Sequence, residues 1–223
     1  MMPFPGGVEN VANGTLILSI LLALYYAMIV ARPPSLRRTV IKTGPIVLLA
    51  ALAFLQGGPP LLLAALALSA MGDALLAQEG ETPFLAGLAS FLLAHIAYVL
   101  LFLSFGEGLA GIVSDPARIT IAVALVGAVV LVLTRLWPVL GRAMRMPVAL
   151  YGAAILAMGL SSLSDLGATV VAGALLFTAS DALLAAGRFL VPVGDARQNW
   201  LRPLVWALYY AAQLLLTLSF ILA

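Results

Sequence analysis

Eight apolar runs of 17 to 21 residues follow one another along the chain: Thr15–Ala31, Thr39–Gln56, Pro60–Ala77, Phe84–Ser104, Arg118–Thr134, Met146–Leu163, Gly167–Gly187 and Pro203–Leu222. A helix of roughly 20 apolar residues crosses a hydrocarbon core of about 30 Å. The runs lack the period-two alternation of barrel strands, so they read as helices. Charged residues make up 9% of the chain and mean hydropathy is +1.16. A soluble domain carries about 25% charged residues, so this chain cannot cover a water-facing surface. The expected fold class is all-α: a polytopic membrane helix bundle of eight transmembrane helices. The breakers lie between the runs, at Arg32-Pro33-Pro34, Gly57-Gly58-Pro59-Pro60, Glu79–Pro83, Asp115-Pro116 and Pro192-Val193-Gly194.

The placement of charge sets an expected orientation. Arg32, Arg37, Arg38 and Lys42 follow the first run, Arg135, Arg142 and Arg145 the fifth, and Arg188, Arg197 and Arg202 the seventh. With eight spans these groups share one side, which is expected to be cytoplasmic, with both termini outside. Only Arg118 of the 11 basic residues falls on the other side. Met1–Asn13 shows no basic n-region of a cleavable signal. The absence of cysteine excludes disulfides, thiolate metal sites and a cysteine nucleophile. No basic, aromatic surface for nucleic acid is present.

Two runs carry a single carboxylate each. Gly72-Asp73-Ala74-Leu75-Leu76-Ala77 is matched 108 positions later by Ser180-Asp181-Ala182-Leu183-Leu184-Ala185. Pro45 shortly after Lys42 and Pro147 shortly after Arg145 also correspond, as do Leu103-Ser104-Phe105 and Leu218-Ser219-Phe220. These pairs suggest one membrane domain over 1–223, built from two parallel four-helix repeats of about 1–112 and 113–223. At about 1.5 Å per residue, Asp73 and Asp181 fall roughly 6 and 9 Å inside the basic side. Tyr25, Tyr26, Tyr151, Tyr209, Tyr210 and Gln213 fall at comparable depths, His95 and Tyr98 deeper, and Lys42 nearest the surface. His95 and Tyr98 share a helix face, as do Tyr209 and Gln213. The small Gly72 and Ser180 allow close approach beside each acid. The expectation is one polar cavity open to the inner leaflet, with the two aspartates facing across it.

An acid inside a membrane span is costly and by default functional; the structural alternative is a carboxylate that locks helix packing. His95 is equally well a neutral imidazole bonded within the bundle. Lys42 also suits a snorkelling, topology-setting role. The tyrosines suit an interfacial belt. The methionines read as core filling. Two Asp and one His without tight spacing do not read as a metal site, and no cofactor is expected.

Gly72-Asp73, Gly87-x-x-Ser90-Phe91-x-x-x-His95-x-x-Tyr98, Gly173-x-x-x-Phe177-x-x-Ser180-Asp181-x-x-Leu184 and Tyr209-Tyr210-x-x-Gln213, with Lys42-x-x-Pro45, resemble the YhhN-like lysoplasmalogenase family over most of the chain. The resemblance implies an eight-span enzyme, and the expected location is the bacterial inner membrane. It would hydrolyse the vinyl ether bond of a lysoplasmalogen to a fatty aldehyde and a glycerophospho-ethanolamine or -choline. It also maps Asp73 and Asp181 onto paired acidic motifs, and His95, Tyr209 and Gln213 onto further polar positions. Vinyl ether cleavage needs an acid to protonate carbon and a base to activate water, and two carboxylates in different surroundings supply both. Asp73 and Asp181 are thus the candidate catalytic pair, with a lean to Asp181 as the acid. Lys42, His95, Tyr98, Tyr151, Ser180, Tyr209, Tyr210 and Gln213 are the candidate substrate-binding residues, Lys42 with nearby arginines at the phosphate. A lysophospholipid and bilayer lipids are the expected partners. Rival readings are a proton-coupled solute or lipid transporter, a non-catalytic lipid-binding protein, and a hydrolase of another ether or epoxide lipid.

Overall fold

The computed structural model describes residues 3–192 and 194–222; Met1, Met2, Ala223 and Val193 of the Pro192–Gly194 breaker lie outside the described residues. A 3-10 turn, Gly7–Glu9, precedes the helices α1 (Val11–Ile29), α2 (Leu36–Leu55), α3 (Pro60–Leu76), α4 (Glu81–Phe105), α5 (Gly108–Val113), α6 (Pro116–Leu136), α7 (Arg142–Ser161), α8 (Ala168–Phe189) and α9 (Arg197–Ile221). Among the described residues every regular element is helical. Among the described residues seven helices are long and apolar enough to cross a membrane, while α3 is also apolar but has 17 residues. The chain is a multi-pass integral membrane protein.

Local chemistry sets the helix ends. Asn10 caps α1 by accepting from the Ala12 amide, and Ser35 caps α2 by accepting from the Arg38 amide. Asp115 caps α6, and Pro116 and Pro60 occupy first-turn positions of α6 and α3, where the missing N–H has no partner to lose. Gly57 adopts a left-handed φ of 69° in the turn between α2 and α3. Several boundaries differ from those expected. Pro83 lies inside the first turn of α4 rather than before it. Helix α9 starts at Arg197 and runs through Pro203, which forgoes one backbone hydrogen bond. Arg188, Arg197 and Arg202 therefore lie on helix ends, not in a long connection. Nothing in the apolar pattern announces the short α5.

The described chain divides into two compact units: residues up to Ala97 together with Gln213 onward, and Tyr98–Ala212. In the first unit, α1 packs on α2 and α2 on α3. Leu16, Ile46, Leu49, Leu52, Leu62 and Leu66 are buried, and Ser19 Oγ donates to the Pro45 carbonyl at 2.9 Å. Asn13, fully buried, accepts from the Phe4 amide and donates to the Phe4 and Gly7 carbonyls, which pins the leading segment onto α1. Glycines let α3 and α4 touch. A Cβ on Gly72 would meet the Phe91 ring at 2.6 Å, and one on Gly87 would meet Leu76 at 2.8 Å. Ser90 Oγ on α4 donates to the Leu68 carbonyl on α3 at 2.7 Å.

In the second unit, α6 packs on α7 and α7 on α8, around buried Leu136, Leu140 and Val148. The α7–α8 connection is held by the Glu107 amide, which donates to the Ser164 carbonyl at 2.8 Å. Arg118 pairs with Asp165, a non-glycine residue at φ 68°, and donates to the Gly111 carbonyl. Large apolar side chains such as Ile119, Val123, Val130 and Leu150 are exposed. In a bilayer these face lipid tails, so helix association rests on close packing and interhelical hydrogen bonds rather than on escape from water.

Candidate functional site

The two aspartates sit in helical hairpins of the same design. In the first unit, α2 runs up to Gly57 and α3 returns. Lys42 stands as far before Gly57 along the chain as Asp73 stands after Gly58. Equal arms bring the two to one level, and Lys42 Nζ lies 3.1 Å from Asp73 Oδ1 and 3.2 Å from the Asp73 carbonyl oxygen. The same register continues one turn nearer the helix ends. Arg38, four residues before Lys42, donates to the carbonyl of Ala77, four residues after Asp73. Arg38 also donates to the Val30 carbonyl and to the Tyr26 hydroxyl, so it serves the C-terminal ends of both α1 and α3. Asp73 is 2% exposed and Lys42 12% at its side chain, so this pair is largely withdrawn from solvent.

In the second unit, α7 and α8 form the corresponding hairpin. Tyr151 and Asp181 stand equally far from Leu166 along the chain, one before it and one after. The Tyr151 hydroxyl donates to Asp181 Oδ2 at 3.0 Å. Asp181 is buried at 6% exposure. The residue before each acid is small for a reason visible in its own unit. Gly72 admits the Phe91 ring, and Ser180 donates its hydroxyl to the Val205 carbonyl at 3.0 Å.

The other expected residues distribute between the units. In the first, Gln213 is buried and donates to Ser69 Oγ at 2.9 Å; Ser69 is one helical turn before Asp73. His95 is buried, with Nδ1 2.6 Å from the Phe91 carbonyl. A carbonyl only accepts, so Nδ1 carries the proton. In the second unit, Tyr98, Phe177 and Tyr209 stack edge to face in series, with ring centroids 6.2 and 5.4 Å apart. Trp206 continues this wall at 5.7 Å from Tyr209 and 6.1 Å from Tyr210. Phe177 is one turn before Asp181, so the wall reaches the level of that acid.

Sequence reasoning missed Ser69, Arg38 and Trp206. Ser69 and Arg38 each sit four residues from a candidate on the same helix, a readable signal. Trp206 carries none beyond its place in the last apolar run. Among the described residues no group of three or more His, Asp or Glu is gathered as metal ligands.

A multi-pass helical membrane protein with a buried acid on the return arm of each of two hairpins is the class that this fold and these residues define. The chain belongs to the YhhN family, whose model matches residues 37–220. It is 34% identical over 157 residues to proteins named lysoplasmalogenase from Mycobacterium bovis and Mycobacterium tuberculosis. It is 37% identical over 152 residues to the human protein named lysoplasmalogenase TMEM86B. These alignments cover 68–69% of this chain and 57–59% of the relatives, so the chain spans under two thirds of their length. No solved structure matches the chain.

Proposed function

We propose that this chain is a membrane-embedded lysoplasmalogenase, cleaving the vinyl ether bond of a lysoplasmalogen to a fatty aldehyde and a glycerophospho-ethanolamine or -choline. The observation that carries the substrate class is the 34–37% identity to proteins named lysoplasmalogenase. The two hairpins support the chemistry, since each delivers a buried carboxyl group held by a neighbouring side chain.

In this reading α3 is the eighth span, the three basic ends face the cytoplasm, and α1–α4 and α6–α9 are parallel repeats. The hairpin spacing supports the repeat. The acid on the third helix of each half is bonded by a residue of the second helix 31 or 30 positions earlier. The short α5 falls at the border between the halves.

The reaction begins when one aspartic acid transfers its proton to the β-carbon of the vinyl ether, leaving an oxocarbenium ion. The other carboxylate stabilises this cation and takes a proton from water as the water oxygen bonds to the cationic carbon. The hemiacetal collapses as its hydroxyl proton leaves and the leaving oxygen is protonated, which releases aldehyde and alcohol. One water is consumed and the acid is restored. Asp181 is assigned as the acid and Asp73 as the carboxylate, in keeping with the lysine beside Asp73. His95, Gln213, Ser180, Tyr151 and Tyr209 place the water and the ether oxygen. Tyr98 and Tyr210 border the fatty chain, and arginines at the basic rim meet the phosphate.

The test is aldehyde release from a lysoplasmalogen by protein in liposomes. Asp73→Asn and Asp181→Asn are each expected to lower kcat by about 100-fold or more. Near-full activity in both would refute the acid–base assignment. Uptake of a solute or lipid without aldehyde release would replace it with a transport function.

A further inference from the structure

Depth along the sequence puts Lys42 at the phosphate of the substrate, yet its ammonium is occupied. It touches both the carboxylate and the main-chain oxygen of Asp73, at 3.1 and 3.2 Å. We infer that Lys42 is a positioning residue acting through Asp73, fixing that carboxylate as a charged, oriented group, and is not an anchor for the substrate phosphate. The inference rests on the paired-aspartate reading for its kinetic consequence, but the ion pair itself stands on geometry.

The place of Asp73 in its helix explains why a cation is needed. Asp73 lies in the last turn of α3, whose C-terminal carbonyls present a partial negative charge. A carboxylate there meets repulsion along with burial. Helix α2 answers with two cations four residues apart, Arg38 on the Ala77 carbonyl and Lys42 on Asp73. The two contacts of Lys42 also fix direction. An ammonium held between a main-chain oxygen and the carboxylate of one residue restricts the rotation of that side chain. Asp181 lies two turns before the end of α8, and the Tyr151 phenol donates to it. The hairpins share a length, and the first arm brings a lysine to one acid and a tyrosine to the other.

The experiment compares Lys42→Met, Lys42→Gln and Lys42→Arg, alone and combined with Asp73→Asn, in the full chain in detergent and in liposomes. Two readouts are taken: the thermal unfolding midpoint and the kcat and KM for a lysoplasmalogen. A positioning role predicts that Lys42→Met or Lys42→Gln lowers kcat by about tenfold or more with little change in KM. Lys42→Arg restores much of that loss. The midpoint falls less in Lys42→Gln with Asp73→Asn than the two single losses together, because removing both partners leaves no uncompensated charge. Lys42→Gln keeps a polar group at the site and carries the test if the Met variant does not fold. Additive midpoint losses, or a raised KM with kcat intact, would overturn the inference. A wild-type chain that releases no aldehyde but shows the coupling would remove the lysoplasmalogenase reading and leave the Lys42–Asp73 pair standing.

Discussion

Gly72→Ala tests whether the crossing of α3 and α4 holds Asp73 in place. The new methyl would lie 2.6 Å from both Cδ2 and Cε2 of Phe91, where ordinary contact begins at 3.4 Å. Most of an ångström must therefore open between the helices. Phe91 is 5% exposed, and its main-chain oxygen is engaged by His95, so its ring has little room to retreat. Overpacking of this kind costs about 1–3 kcal/mol. In a chain of this size that corresponds to a loss of roughly 2–12 °C in Tm. The neighbouring residue is Asp73, and an ångström of misplacement at a reacting group costs up to about 100-fold in rate. The expected result is a modest loss of Tm with a disproportionate loss of kcat, read by thermal unfolding in detergent and by aldehyde release. Gly87→Ala is the control, because its methyl meets the branched end of Leu76 at 2.8 Å, a side chain better able to turn aside. Equal effects in the two variants, or full activity and Tm in Gly72→Ala, would refute the argument that this glycine sets the position of the acid.

Two further outcomes concern the second hairpin and the start of α9. Tyr151→Phe removes the 3.0 Å hydrogen bond to Asp181 and little volume. A bond to a charged or ionisable group is worth about 1.5–3 kcal/mol, so kcat/KM should fall by about 10- to 100-fold and Tm by roughly 3–12 °C; an unaffected rate would detach Tyr151 from the site. At the start of α9, the Arg197 side chain and then its amide hold the Asp195 carboxyl down at about 2 from an ordinary 3.8. A lowered value means that the contribution is complete above about pH 4 and is lost as the pH falls toward 2. Hydrogen exchange in the first turn of α9 should differ between wild type and Asp195→Asn above that window and converge below it.

Much of the fold is legible because burial in lipid leaves a plain signature. Each of the eight apolar runs is a helix, since no other single-chain local structure satisfies its own backbone there. The ends are harder. Pro83 reads as a breaker, but in the first turn of a helix proline loses little, so α4 begins before it; Pro203 reads as the start of the last run, yet α9 begins at Arg197 and continues through it at the cost of one backbone hydrogen bond. Helix α5 escapes notice because Gly-Leu-Ala-Gly-Ile-Val has neither the length nor the periodicity of a span. At the site, the acids stand out against their apolar surroundings, and their residue types alone mark them. Their partners do not stand out in the same way. Depth counted from a loop boundary places Lys42 too near the surface to suggest Asp73. Counting outward from Gly57 and Gly58 matches the two, because a tight turn makes arm length a measure of level.

Hairpins with equal arms store their chemistry as a count. One residue inserted between Lys42 and Gly57 would swing the lysine about 100° around its helix and move it about 1.5 Å along the axis. The ammonium would then point elsewhere with every side chain intact. Deleting a compensating residue on the same arm would return it. The chemical identity of such a site thus resides partly in residues that never touch it, whose contribution is to occupy a place in the line.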